Sequence, residues 1–432
     1  MQLYSTKHQV PNVNFKEALF KGLPDDNGLY MPTEIPQLDQ VFIDNIEKYS
    51  FQEIAFEIAH KLIGDEIPAE DMKAIIADAV NFEAPVVKVT DDIHVLELFH
   101  GPSLAFKDFG ARFMSRVMAY FLKKEQSNIN ILVATSGDTG SAVAQGFLGM
   151  PGIKVTILYP SGKVSVNQEK QLTTLGENIT ALEIDGVFDD CQKLVKEAFL
   201  DSELTSKLNL SSANSINIAR LIPQSFYYAW AYAQVKKLGR EVAFCTPSGN
   251  FGNLCGGLIA MKMGIPVQWF VAATNANDIV PNYLKTATFT PKPSVATISN
   301  AMDVGNPSNF PRLLAFMDNN YEKLSSIMSG KSYSDDQTRE CMRKVYDATG
   351  YIMCPHTAVA YLGMEETLKE KNDGSLGIIL STAHPAKFKD IVDDVLGKEI
   401  PLPPRLEEIV NKPKVSIKMS TEFSMFKSFL LG

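Results

Sequence analysis

Short apolar runs alternate with helix-like stretches from residue 94 to residue 382, and this alternation restricts the possible folds more than any other feature. The runs are HVLELF (94–99), NILVAT (130–135), IKVTILY (153–159), ITALEI (179–184), EVAFCT (241–246), VQWFVAA (267–273) and LGIILST (376–382). A strand that is apolar throughout is typical of a parallel sheet covered by helices on both faces. The alternation therefore predicts the α/β class with parallel sheets.

The N-terminal region follows a different pattern. Residues 50–63 carry apolar side chains at helical spacing, and Ser50 with Glu53 forms a capping box at the start of that segment. A second helix is predicted near 69–80, where it would pack beside the first. These features predict a mainly helical region over residues 1–90.

Two polar segments lack a periodic apolar pattern. Residues 274–312 are rich in Asn, Pro, Thr and Ser, which predicts a long surface loop or insertion. Residues 401–414 are rich in proline and charge, and we expect them to run over the surface. Residues 401–432 are therefore interpreted as a C-terminal tail.

Composition excludes several classes of partner. A net charge of -9 argues against binding to nucleic acid, which needs a basic stripe, although a pocket can be locally positive for a small anion. Five cysteines without C-x-x-C spacing argue against a disulfide framework or a zinc ribbon. The start of the chain lacks an apolar signal segment, and no apolar run approaches the ~20 residues of a membrane span. We expect a cytoplasmic protein with no metal, membrane or nucleic-acid partner.

Two glycine-containing turns each join an apolar run to a helical stretch. They are Ser136-Gly137-Asp138-Thr139-Gly140 and Ser248-Gly249-Asn250-Phe251-Gly252-Asn253. Glycines let backbone N–H groups approach a ligand, and a helix N-terminus favours negative charge, so each turn is a candidate anion site. Ordinary strand-to-helix junctions use the same residues, and neither turn matches the dinucleotide or P-loop motif.

Lys107 stands in the unusually apolar segment FHGPSLAFKDFG (99–110), which follows a predicted strand end. One interpretation is a lysine whose stem lies on apolar surface while its ammonium reaches water. The other is a desolvated amine with a lowered pKa that can form a Schiff base or act as a base. A reactive amine together with two anion sites fits an aldehyde cofactor that carries a phosphate, which is pyridoxal phosphate.

Most of the chain resembles the threonine synthase family of fold-type II pyridoxal-phosphate enzymes, which share a tryptophan synthase β-like fold. FHGPSLAFKDFG resembles the family's lysine signature, PSGNFGN its cofactor-phosphate loop, and LSTAHPAKF (380–388) the segment whose threonine faces the pyridine nitrogen. DNGLYMP, GKVSVNQEKQLTTLG, SANSINIARLIPQ and AMDVGNPSNFPR resemble further family blocks. The resemblance implies that the cofactor is held by Lys107 as the Schiff-base lysine and by Gly249, Asn250, Phe251, Gly252, Asn253 and Thr382.

The resemblance also implies the residues that contact substrate. They are Ser136, Asp138 and Thr139 for the amino-acid carboxylate and the cofactor hydroxyl, and Lys163, Asn217 and Arg220 for a substrate phosphate. Asp138 departs from the asparagine of many fold-type II relatives, which leaves its role open. His384 is interpreted either as a proton-transfer group or as a structural residue at a helix start.

The implied architecture is two open parallel-sheet domains behind the N-terminal region. The predicted domains are 1–90, a large cofactor domain of 91–129 and 241–400, a small domain of 130–240, and the tail. The implied activity is conversion of O-phospho-L-homoserine and water to L-threonine and phosphate by a monomer or homodimer. Alternatives are a related phospho-lyase or serine/threonine dehydratase, and a non-catalytic protein that binds a phosphorylated metabolite.

Overall fold

The computed structural model describes residues 1–135 and 137–432. Its strands are β1 (Gln2–Ser5), β2 (Val13–Asn14), β3 (Tyr30–Pro32), β4 (Val86–Lys88), β5 (Ile93–Glu97), β6 (Ile129–Ala134), β7 (Ile153–Pro160), β8 (Ile179–Ile184), β9 (Leu210–Ser211), β10 (Val242–Pro247), β11 (Phe270–Thr274), β12 (Met328–Ser332), β13 (Leu376–Ser381) and β14 (Ile417–Met419). Its α-helices are α1 (Phe15–Lys21), α2 (Gln40–Asp44), α3 (Phe51–Ile63), α4 (Ala69–Ala79), α5 (Lys107–Glu125), α6 (Asp138–Phe147), α7 (Val166–Thr173), α8 (Phe188–Leu200), α9 (Ser202–Lys207), α10 (Ile218–Leu221), α11 (Gln224–Val235), α12 (Gly252–Lys262), α13 (Ile279–Thr286), α14 (Phe310–Phe316), α15 (Tyr321–Ile327), α16 (Asp335–Thr349), α17 (Pro355–Lys371), α18 (Lys389–Leu396), α19 (Pro404–Val410) and α20 (Phe423–Leu431).

Two mainly parallel sheets form the body of the molecule. The larger has the order β12-β11-β10-β13-β5-β4, and the smaller has the order β14-β8-β7-β6-β9. Each apolar run that predicted a strand contributes to one of these sheets, and the central strands β10, β11 and β13 are buried along their whole length. The predicted α/β class with two open parallel sheets is confirmed.

The N-terminal region contains the two predicted helices and an additional small sheet. Helix α3 carries the capping box between Ser50 and Glu53, and its apolar face is buried. Strands β2, β1 and β3 form an antiparallel sheet that the sequence analysis missed, because such short strands have little room for a pattern. Strand β4 leaves this region and pairs antiparallel with β5, so the boundary near residue 90 crosses the large sheet.

Helix α11 does not belong with the small sheet, although the predicted small domain extended to residue 240. It packs on α12 and α3, and Trp230 stacks on Phe51 with their ring centroids 5.4 Å apart. The predicted boundary is corrected because buried apolar side chains cover most of this helix, which requires neighbours on several sides.

The two segments that were predicted to lack regular structure, residues 274–312 and 401–432, also contain helices and, in the second segment, a strand. Residues 274–312 contain α13, the start of α14 and a partly buried network in which Asn275 donates hydrogen bonds to Thr297 and Asp303. The C-terminal residues form α19, β14 and α20 rather than a tail. Strand β14 extends the small sheet in parallel with β8, and α20 packs against α8 and α9. In the described residues, no helix combines the length and apolarity that a membrane crossing needs.

Phe426 anchors α20 in the apolar cluster of the small sheet, where it is 0% exposed. We expect Phe426→Ala to lose about 3 kcal/mol of local stability through lost burial and a cavity. Hydrogen exchange measured by mass spectrometry will show faster exchange in α20, β14 and β8. Met425→Ala is the matched control because Met425 is 51% exposed. Equal protection in the two variants would contradict the assigned role of α20.

Candidate active site

A cavity of about 590 Å³ opens where the carboxyl ends of strands from both sheets converge. Ala134 ends β6, Pro247 ends β10 and Thr382 follows β13, and all three line the cavity. Ligands bind at this end of open α/β sheets because loops and helix N-termini meet there. The cavity is therefore the candidate active site.

Lys107 is the first residue of α5, and the loop before it is attached to the end of β13. The Phe106 N–H donates to the Thr382 carbonyl at 2.9 Å, and Ala105 forms an antiparallel bridge with Ala383. These backbone contacts place Lys107 beside Thr382 in the cavity wall. The Lys107 Nζ lies 4.7 Å from the centroid of the Phe106 ring.

The environment of Lys107 favours the uncharged amine. Burial lowers the pKa of Lys107 to about 8; Asp138 opposes this change, and Lys387 and Arg220 add to it. An uncharged amine is the form that attacks an aldehyde or accepts a proton. Lys107 therefore has the protonation behaviour that a Schiff-base lysine requires.

The second glycine turn also lines the cavity, at the N-terminus of α12. Among the described residues, four backbone N–H groups of this turn have no protein acceptor, those of Gly249, Asn250, Gly252 and Asn253. All four residues line the cavity. Unpaired N–H groups at a helix N-terminus form a site for an anion such as a phosphate.

The conformation of this turn is held from within. The Ser248 hydroxyl accepts from the Phe251 N–H at 2.9 Å and donates to Asn253 Oδ1 at 2.6 Å. Phe251 adopts the left-handed region with φ of 61°, which is unfavourable for a phenylalanine and is maintained by these contacts. A Cβ on Gly249 would stand 2.8 Å from the Met302 Cα, so only glycine fits there.

The described residues fit pyridoxal phosphate. A desolvated lysine lies in the cavity with a cradle of unpaired N–H groups that suits a phosphate. Thr382 is buried, and its hydroxyl makes no hydrogen bond with the described residues, so it is free for a ring nitrogen. The assignments of Lys107, Gly249, Asn250, Phe251, Gly252, Asn253 and Thr382 remain predictions that this geometry supports.

The predicted substrate residues divide into three groups. Thr139, Lys163 and Arg220 line the cavity. Arg220 is buried and donates to the Ala213 carbonyl at 2.7 Å, while its Nε has no partner in the described structure. Ser136 lies outside the described residues. Asn217 is not among the cavity-lining residues; its side-chain oxygen caps α10 and its amide nitrogen donates to the Leu19 carbonyl at 2.8 Å.

Asp138 lines the cavity at the start of α6, but its carboxylate already has protein partners. Asp138 Oδ1 lies 2.8 Å from the Lys387 Nζ and accepts from Gln168 Nε2 at 3.1 Å. Burial acts to raise the pKa of Asp138, but Lys387 and Lys107 outweigh it and hold that pKa well below its usual range. Asp138 is therefore a carboxylate anion in the site.

His384 is outside the cavity lining and acts structurally. Its Nδ1 accepts from the Ala386 N–H at 3.1 Å at the start of a 3₁₀ turn, and its ring contacts Phe99 edge-on. Burial lowers the pKa of His384 to about 4, which leaves the ring neutral. This is the second of the two interpretations offered by the sequence.

Sequence reasoning missed two buried residues of the site, His356 and Lys387. His356 lines the cavity, its Nε2 accepts from the Ala301 N–H at 3.2 Å, and burial lowers its pKa to about 4. The available signals were Pro355-His356 at a helix start and Lys387 within LSTAHPAKF. Both patterns are also typical of ordinary helix starts, so neither stood out.

We expect the amine of Lys107 to react at a lower pH than ordinary lysines do. In the ligand-free protein, modification by acetic anhydride should rise with a midpoint near pH 8, because the pKa is lowered to about 8. An ordinary exposed lysine titrates near ~10.4. Peptide mass spectrometry quantifies modification, with exposed Lys154 as the internal reference. A Lys107 profile that coincides with the Lys154 profile would contradict a desolvated amine.

Comparison with known proteins gives consistent results along the whole chain. Family models match for "Threonine synthase N terminus" at residues 2–80, "Pyridoxal-phosphate dependent enzyme" at 84–381 and "Threonine synthase, C-terminal" at 357–430. Threonine synthase of Haemophilus influenzae is 46% identical over 432 residues, covering 100% of both chains. The Escherichia coli threonine synthase structure is 43% identical with a TM-score of 0.91, covering 100% of this chain and 99% of that one. The pyridoxal-phosphate-bound threonine synthase of Brucella melitensis is 35% identical with a TM-score of 0.94, covering 100% and 98%. The chain belongs to the threonine synthase family of pyridoxal-phosphate-dependent enzymes.

Proposed function

We propose that this pyridoxal-phosphate-dependent lyase converts O-phospho-L-homoserine and water into L-threonine and inorganic phosphate. The observation that carries the proposal is the position of Lys107, a desolvated amine in the same cavity as a phosphate cradle and two cationic side chains, Lys163 and Arg220. A cavity of about 590 Å³ is within the range for a cofactor with a small substrate.

Bound pyridoxal phosphate supplies an aldehyde that joins to an amine and a ring that accepts electrons from the carbon atoms of an amino acid. Lys107 would hold the aldehyde, and the N–H groups of Gly249, Asn250, Gly252 and Asn253 would hold the phosphate. Thr382 would face the ring nitrogen. A hydroxyl can share a hydrogen bond with that nitrogen but cannot keep it protonated as a carboxylate would, so proton transfers depend on Lys107.

Lys107 is the proton carrier in this proposal. Its Nζ, freed when the substrate amine replaces it, takes the proton from Cα, releases it to solvent, and then takes one from Cβ. Phosphate leaves from Cγ with the bonding electrons and takes up a proton from solvent, and the Lys107 Nζ returns its proton to Cγ. The hydroxyl of a water molecule then adds at Cβ, and the remaining proton of that water restores the hydrogen on Cα. One base reaches three carbon atoms because the lysine stem has four rotatable methylene groups.

A substrate phosphate requires cationic side chains. The cavity offers two, and neither forms an ion pair with a carboxylate in the described structure. Lys163 is exposed at the cavity margin, and Arg220 is buried deeper in the wall. Burial lowers the pKa of Arg220 to about 10, and the guanidinium still remains charged at neutral pH. A phosphate dianion matches such a pair of donors, and guanidinium geometry favours two-point contact.

We infer that the protein acts in the cytoplasm as a monomer or a homodimer with a small-molecule substrate. Light scattering of the purified protein distinguishes those two assemblies.

Incubation with O-phospho-L-homoserine should release threonine and phosphate in equal amounts. Lys107→Ala should reduce turnover at least about 10³-fold, because the same amine carries the cofactor and the protons. It should also abolish borohydride-stable attachment of the cofactor. Lys154→Ala, which changes an exposed lysine on β7, is the control with unchanged turnover. Phosphate without threonine would identify a phospho-lyase instead. A colourless protein whose ligand binding survives Lys107→Ala would identify a non-catalytic binder.

Lys163→Ala should raise KM for the phosphorylated substrate about tenfold and leave the fold intact, because Lys163 is exposed and a charge-assisted contact contributes on the order of 1.5 kcal/mol. Inhibition by inorganic phosphate should weaken by a similar factor. Steady-state kinetics of Lys163→Ala and of Lys154→Ala measure both effects. Unchanged KM and phosphate inhibition would exclude Lys163 from phosphate binding.

A further inference from the structure

A buried ion pair joins the two sheets beside the cavity. Asp138 starts α6 next to the small sheet, and Lys387 follows β13 of the large sheet. The Lys387 Nζ lies 2.8 Å from Asp138 Oδ1, with side-chain exposures of 0% and 4%. Most ion pairs of this chain lie near the surface, so complete burial separates this pair from them.

We propose that Lys387 is a positioning residue that neutralises Asp138 and so leaves Lys107 available as the uncharged amine. This inference rests on the function proposed above, in which that amine carries the protons. Lys387 does not line the cavity, so its role would be exerted through Asp138 rather than by contact with the substrate.

A buried carboxylate needs a cation, because removing an anion from water without compensation is very costly. Two lysines stand near Asp138, namely Lys387 in direct contact and Lys107 farther away in the cavity wall. If Lys387 were missing, Lys107 would be the remaining lysine able to compensate the carboxylate. Compensation by Lys107 would keep that amine protonated, which is the inactive form for both cofactor attachment and proton removal.

The surroundings of Lys387 hold it in this position. Its Nζ also donates to the Ser103 carbonyl at 2.8 Å, within the loop that leads to Lys107. Gln171 from α7 donates to the same carbonyl at 3.0 Å, and Asn167 from α7 donates to the Ala386 carbonyl at 3.3 Å. The ammonium is therefore fixed between the lysine loop and the helices of the small sheet.

Four charged or titratable groups from separate elements act on Lys107. They are Asp138 from α6, Lys387 from the turn after β13, Arg220 from α10 and His356 from α17. Asp138 favours the protonated amine, whereas Lys387 and Arg220 oppose it. His356 is neutral near pH 7 because burial lowers its pKa to about 4. Within the ion pair, Asp138 therefore acts to raise the pKa of Lys107, and Lys387 acts to lower it.

The test is the pH profile of Lys107 acetylation in the full-length, cofactor-free protein. Lys387→Met leaves Asp138 uncompensated, so the midpoint should rise by about 1–2 pH units, as expected for a nearby opposite charge. At pH 8 the labelling rate should then fall roughly tenfold. Asp138→Asn should not raise the midpoint, and Asp138→Asn with Lys387→Met should return it to within about 0.5 unit of the unmodified protein.

A purely structural role gives a different result. Loss of a link between the sheets would admit water to Lys107, and restored solvation raises a lysine pKa in every variant, including the double variant. A rise in all three variants, or no rise in Lys387→Met, overturns the proposal. If Lys387→Met fails to fold, an unshifted double variant still supports the electrostatic role and a shifted one overturns it.

Lys389→Met is the matched control, since Lys389 lies two residues away in a partly exposed ion pair with Asp393 and is not among the groups that act on Lys107, so the profile should be unchanged. Labelling requires no turnover, so this result stands apart from the substrate assay, which alone tests the proposed function. In the holoenzyme, the alkaline shift should also appear in the pH dependence of kcat/KM for Lys387→Met and disappear in the double variant.

Discussion

The hydrogen bond from the Phe106 N–H to the Thr382 carbonyl is the contact on which the site geometry depends. It belongs to a series of backbone contacts in which the lysine loop runs beside the continuation of β13. The Leu98 N–H donates to Ser381, and the His384 N–H donates to Leu104. Backbone pairing fixes position more firmly than side-chain contacts do, because it removes the freedom of both segments at once. Lys107 and Thr382 consequently lie on one wall, whatever occupies the cavity.

The phosphate cradle is built by a different principle. Its N–H groups must remain unpaired, so the turn is stabilised by side chains within it rather than by backbone pairing across it. Ser248 and Asn253 supply those bonds, and Phe251 accepts an unfavourable φ of 61°. The neighbouring segment is held separately, because the Ala301 N–H donates to His356 and Met302 lies against Gly249. Strain and unpaired donors in one turn are the cost of a preformed anion site.

The parts of the fold that could be predicted from the sequence are the strands and helices whose own residues form a recognisable hydrophobic or capping pattern. Strands β6 to β8, β10 and β13 are mainly apolar runs, and α3 carries its own capping box. Strand β14 was missed because three residues, two of them exposed, show no alternation, and its partner β8 lies more than two hundred residues earlier. Pairing at that distance is decided by tertiary packing, which a local pattern does not contain.

The same limit applies to the candidate site. Lys107 and both glycine turns could be found because each combines an unusual composition with a strand end. The role of Asp138 could not, because it depends on Lys387, which is almost 250 residues away in the chain. Asn217 was predicted to contact substrate because it lies in a segment that resembles a family block, and a sequence pattern does not show that its side chain caps a short helix.

The charge distribution of the site follows from the same long-range contacts. The protein carries a net charge of -9, yet three cationic side chains line the cavity beside the carboxylates of Asp138 and Asp303, namely Lys107, Lys163 and Arg220. Arg220 is buried and donates to a backbone carbonyl rather than to a carboxylate in the described structure. Burial lowers the pKa of its guanidinium to about 10, so Arg220 remains charged near neutral pH. The Asp138–Lys387 pair is neutral as a unit and does not cancel the charge of Arg220. Cationic side chains without an ion-pair partner in the cavity favour ligands that bring their own anions, and a phosphorylated cofactor with a phosphorylated amino acid does so. The acidic surface and the cationic interior are therefore compatible, because surface charge is screened by solvent while buried charge acts directly on the ligand.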